Sequence, residues 1–173
     1  MSDPRLPRLI FGLLVLFSVV YFYRVYAQLP EVMASHFNGN GVPNGWMPKS
    51  DFFKVLLPFG LLIAIIAFVS PKLMRIFPPS MINLPNKDYW LAPERRAETV
   101  RYMEAALAWL GCAIIALMTF AFYIAVKANL NPRGGFDSSA MMVALGAFFV
   151  FLLFFIIRIT AHFSRAPDGS AKA

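Results

Sequence analysis

The sequence predicts an all-α integral membrane protein with four transmembrane helices and both termini cytoplasmic, and three observations carry the prediction. Hydrophobic residues make up 59% of the 173-residue chain and aromatic residues 16%, more than a soluble domain of this size usually holds. Four stretches, about 9–29, 52–69, 104–126 and 140–161, are apolar over the length of roughly 17–25 residues that a helix needs to cross a hydrocarbon core about 30 Å thick. The basic residues lie beside these stretches and are unevenly shared between the two sides. With the N-terminus inside, only Arg24, Lys49, Lys54, Lys127 and Arg133 of the 16 Lys and Arg fall outside, and the rest, from Arg5 to Lys172, fall inside. That bias favours the orientation stated.

The whole chain, 1–173, then reads as one membrane domain with an ordered outer loop over 30–51 and an inner connection over 70–103. In the first span, Arg5, Arg8 and the sequence Val25-Tyr26-Ala27 imitate a secretory signal. Arg24 and three tyrosines just before the supposed cut favour a retained helix instead. Pro30 stops this helix, since the residue before a proline is pushed out of the helical region. Asn38-Gly39, Asn40-Gly41 and Asn44-Gly45 follow, and all three pairs suit turns because both residue types tolerate positive φ. The loop is expected to be a compact series of turns. Ser50 or Asp51 can cap the second helix, and Pro58 should kink it. The inner connection carries Pro71, Pro78, Pro79 and Pro85 and reads as a surface coil. Pro93 suits the first position of a third helix that runs through "ERRAETVRYMEAALAWL" without a breaker, projecting roughly 10 Å or more before it enters the bilayer.

In the third span Ala108, Cys112 and Ala116 recur every four residues beside Gly111, a smooth stripe that permits close helix contact. The fourth is Phe-rich from Phe148 to Phe155 and reads as a wall facing lipid or a partner, since it holds no axial ligand for a cofactor.

The chemistry available is limited. A single cysteine, Cys112, excludes an intrachain disulfide and a thiolate zinc site. A net charge of +7 is explained by membrane topology, and no nucleic-acid partner is expected. His36 and His162 stand on opposite sides of the bilayer, so they cannot share a metal. His36 with Glu31, Asp51 or an Asn carbonyl lacks the spacing of a zinc centre, and its expected role is a hydrogen bond that organises the loop. Ser35 beside His36 is no catalytic triad, and "NGNG" lacks the Lys-Ser or Lys-Thr ending of a phosphate-binding loop. No enzyme activity, metal or cofactor is expected. The spans hold almost no acidic residue at mid-depth, Glu104 near the inner interface being the nearest, which disfavours a pump or channel. Arg24, near the outer end of its helix, can snorkel to the headgroups or use its fork of donors on a loop carbonyl, Asp51 or an anionic ligand.

Leu29-Pro30, Ser35-His36-Phe37-Asn38, Gly41, Pro43-Asn44-Gly45-Trp46 and Lys49, leading into an apolar helix, form a pattern. It resembles the uncharacterised N-terminal domain of the bacterial SdpI-like membrane proteins, immunity proteins named for a sporulation-delaying toxin. The inner stretch "NLPNKDYWLAPERRAET" is similar to a segment of the same group. The chain departs from the fuller immunity-protein architecture, with four spans and no convincing further SdpI domain. The resemblance implies a multi-pass protein of the bacterial cytoplasmic membrane, most of whose relatives have no assigned activity. Two functions are carried forward. In the first, His36, Asn38, Asn44, Trp46 and Lys49, with Arg24 beside them, form an outer surface that recognises an extracytoplasmic peptide, envelope component or toxin. In the second, the chain is an accessory subunit whose apolar helix faces meet other membrane subunits. The lipid bilayer is a partner in both.

Overall fold

The computed structural model describes residues 3–131 and 135–165; two of the basic residues used for orientation, Arg133 and Lys172, lie outside them. The chain is mostly helical and contains four helices long and apolar enough to cross a membrane. Helix α1 spans Arg5–Tyr26. The second candidate crossing, Lys49–Leu73, is built from α2 (Lys49–Lys54), α3 (Leu56–Ala64), a π-helical turn (Ile65–Val69) and α4 (Ser70–Leu73). A 3₁₀ turn at Pro79–Met81 and the short α5 (Lys87–Trp90) occupy the inner connection. The long α6 runs Pro93–Leu130 and α7 runs Ser138–Ser164.

Prolines account for the interruptions in the second crossing. Pro58 cannot donate to the carbonyl of residue 54, and the helix breaks at that point, between α2 and α3. Pro71 cannot donate to residue 67, and the π turn lies across that register. Pro93 opens α6 as expected of a first-turn proline, with Ala92 extended before it. The second crossing starts earlier than Ser50 or Asp51: α2 begins at Lys49 after Pro48, and no side chain caps it.

The outer loop corrects the all-α expectation. Val32–Phe37 and Pro43–Pro48 form β1 and β2, an antiparallel hairpin. Asn44-Gly45, which reads as a turn, sits inside β2, and the only Asn-Gly turn of the hairpin is at its tip, around residues 38–41. The register is Val32 with Pro48, Met33 with Met47 and Ala34 with Trp46; an irregularity at Ser35 then sets His36 opposite Gly45. Met33 is fully buried and packs with Leu29, Phe52, Ala125 and Val126, so the buried face of the hairpin closes one end of the helix bundle.

Deeper in the bundle α1 crosses α6 closely. Gly111 makes this possible, since a Cβ there would stand 3.0 Å from Ala67 Cβ and 3.2 Å from the Phe11 ring. Ala108 and Cys112 are buried in the same crossing region, whereas Ala116 is exposed, so the smooth stripe stops one turn short of the sequence expectation. The Ser18 and Thr119 hydroxyls bond each other at 2.6 Å across it, and each also donates to, or is close to, its own helix's carbonyl four residues back. At the other end Glu104, 5% exposed, accepts from Arg8 at 2.7 Å and Arg75 at 3.0 Å, joining α1, α6 and the segment after α4.

Candidate functional site

The hairpin is held against the bundle at three places. The first is Asn129 on α6, whose Oδ1 accepts from the Ala34 amide at 2.7 Å while its Nδ2 donates to the Ala34 carbonyl at 3.0 Å. A carboxamide carries the same donor and acceptor as a peptide group, so Asn129 pairs with β1 as a neighbouring strand would.

The second is the tip. Asn38 Oδ1 accepts from the amides of Asn40 and Val42 at 3.0 Å each, and the Asn38 carbonyl accepts from the Gly41 amide. This wraps the backbone around one side chain, which is why Asn suits the position. Gly41, at φ +76°, turns its carbonyl to the Phe136 amide at 3.0 Å. A Cβ on Gly41 would fall 2.2 Å from the Phe136 carbonyl oxygen. Phe37 stacks on Phe136 with ring centroids 4.7 Å apart, so the hairpin is locked to the residues that lead into α7.

The third is the base. The Lys49 amide donates to the Glu31 carbonyl, and its ammonium pairs with Glu31 Oε1 at 2.8 Å, reaches the Leu29 carbonyl at 3.4 Å and lies 4.9 Å from the centre of the Tyr26 ring.

These contacts sort the candidate residues. Asn38 and Lys49 spend their polar groups inside the loop, one on the turn and the other on the base. Arg24 is exposed beside Tyr23, Tyr26 and Phe53 and makes no ion pair among the described residues. His36, Asn44 and Trp46 lie together on the exposed face. The irregularity at Ser35 re-aims His36 beside Asn44, and His36 Nδ1 bonds Asn44 Oδ1 across the strands. The pair uses one ring nitrogen, and none of the described hydrogen bonds involves Nε2. Trp46 is 61% exposed, high for a side chain with so much apolar area to bury.

Asn129 and Phe136 have no counterpart among the residues the sequence singles out, and the only signal for them is that two polar or aromatic residues end or follow apolar helices. No group of three or more potential metal-ligating His, Cys, Asp or Glu residues occurs among the described residues. No curated protein and no solved structure matches the chain. A family model does match: residues 13–63, which hold most of α1, the whole hairpin, α2 and nearly all of α3, are similar to a domain of unknown function (DUF1648).

Proposed function

We propose that the hairpin is a recognition surface for an extracytoplasmic peptide or envelope component, presented by a non-enzymatic, four-span protein of the bacterial cytoplasmic membrane related to the SdpI-like proteins. In this reading both termini are cytoplasmic and the hairpin faces out. The observation that carries it is Trp46, an exposed aromatic on a backbone fixed from three sides, with the His36–Asn44 pair next to it. A rigid aromatic flanked by polar groups supplies contact area at low entropic cost, as anchoring residues of interfaces do. The spacing of charges supports the orientation, and the match over 13–63 is centred on the hairpin with its flanking helices.

A photo-crosslinking residue in place of Trp46, in native membranes, tests the reading. Discrete protein or glycan adducts that vanish on His36→Ala are expected. Adducts to lipid alone would make Trp46 a membrane anchor and end the proposal. Labelling of an Asn40→Cys variant by a membrane-impermeant maleimide on intact cells checks the orientation, since native Cys112 is buried.

The accessory-subunit reading is favoured by α7, in which Phe163 is the one fully buried residue described. A lone protomer persisting through mild-detergent purification from native membranes would count against it.

A further inference from the structure

At the end of the bundle opposite the hairpin, an open pocket of about 480 Å³ is lined by Trp90, Tyr102, Arg158, Ala161, His162 and Arg165. We propose that it binds the phosphate headgroup of an anionic phospholipid. The proposal rests on membrane insertion of the four helices and is independent of what the hairpin recognises.

The pocket's construction is specific. Arg158, His162 and Arg165 are spaced i, i+4 and i+7, which sets them on one face of α7 up to its C-terminal cap. The His162 ring lies flat on Tyr102, with centroids 3.8 Å apart and planes 6° from parallel, and Trp90 stands 4.9 Å away. These rings give the pocket a stiff aromatic floor. In the last turn of α7 the Phe163 carbonyl is capped without the arginines, accepting from Trp90 Nε1 at 2.9 Å and from Asn86 Nδ2 at 3.0 Å. Neither arginine forms an ion pair among the described residues, although Glu98 is near enough to act electrostatically on His162.

Among the described residues neither guanidinium donates a hydrogen bond, although that of Arg158 stands 6.0 Å from the centre of the Phe154 ring, and the neighbourhood of the site is apolar on one side. Leu153, Phe154, Ile156 and Ile157 are all more than half exposed along α7 just before Arg158. A headgroup in the pocket would have its acyl chains beside that surface, which a free anion would leave uncovered. Basic pockets at the ends of membrane helices are suited to anionic headgroups, and guanidinium groups match phosphate oxygens. Each arginine near the surface is worth about fivefold in enrichment, so the pair predicts roughly 30-fold over a zwitterionic lipid.

Trp90 can report on its own occupancy. In full-length protein with Trp46→Phe and Trp109→Phe, Trp90 fluorescence is measured in liposomes that contain brominated phosphatidylglycerol or, at equal mole fraction, brominated phosphatidylcholine. Quenching saturating at much lower phosphatidylglycerol content is expected, with the preference lost in Arg158→Gln/Arg165→Gln and kept within about twofold in Arg95→Gln, whose guanidinium instead covers Tyr89. Equal quenching by both lipids, or an unchanged preference in the double variant, overturns the proposal. Relief of quenching by inorganic phosphate, beyond a chloride control of matched ionic strength, would assign the pocket to a soluble anion. A companion protein with Trp109 alone separates the failures: no quenching there by either lipid would overturn insertion itself.

Discussion

Replacement of Asn129 by Ala isolates the contact that makes the hairpin part of the bundle. Ala34 is 7% exposed, and its amide and carbonyl both bond the Asn129 side chain. Truncation leaves two buried backbone groups without their partners, at about 1–3 kcal/mol each in a closed site. The space vacated by the carboxamide admits water, so the low end of that range applies, about 1–1.5 kcal/mol for each group, and the pair should lose about 2–3 kcal/mol. The Ala125 carbonyl, which also accepts from Asn129 Nδ2, remains in the helical ladder of α6. The loss is therefore local. Hydrogen exchange in detergent or nanodiscs reads it directly: amides in 32–37 should exchange roughly 30- to 150-fold faster, with those of 105–118 on α6 unchanged. Asn129→Asp should not rescue, because its second oxygen would face the Ala34 carbonyl. Hairpin exchange within about threefold of wild type, or equal acceleration through α6, would refute the idea that Asn129 acts as a surrogate strand.

Gly41→Ala forces a Cβ into both a left-handed backbone and the Phe136 carbonyl; it should cost at least about 1–2 kcal/mol, seen as lost amide protection at Phe136. Glu104→Gln removes the charge that Arg8 and Arg75 share. With both arginines partly in solvent the expected loss is about 1–3 kcal/mol, read as a lower thermal midpoint in detergent, and full retention of that midpoint would show the cluster to be dispensable. Gly111→Val must push Phe11 or Ala67 aside. It should destabilise by about 1–3 kcal/mol in the same assay, and Gly111→Ala by less.

Much of the helical framework is legible because a helix long and apolar enough to cross a membrane is a composition signal as much as a pattern. The four apolar stretches, the stop before Pro30 and the start at Pro93 follow from residues within one or two turns of each boundary. The hairpin is harder to read. Strand β2 has proline at both ends and Gly45 within it, and these are turn-forming residues by local preference. What stabilises the strand is remote: Met47 meets the core beneath it, and β1 meets Asn129 from 95 residues away. The same distance hides the role of Glu104, recognisable in sequence as an acidic residue near the inner interface but paired with Arg8 across 96 residues. At the candidate surface, Asn38 and Lys49 stand out for their type, and only their hydrogen bonds reveal that the loop itself uses them.

The attachment of α7 has a mechanical consequence. Its entry is bolted to the hairpin through Phe136 and Gly41, and its exit is bolted to α5 through the Phe163 carbonyl. The helix that joins these fastenings has 27 residues, a rod about 40 Å long that is stiff along its axis. Such a member behaves as a strut: it cannot slide by a fraction of a turn at one bolt without loading the other. The helix itself therefore sets the separation between the hairpin end and the α5 end of the molecule.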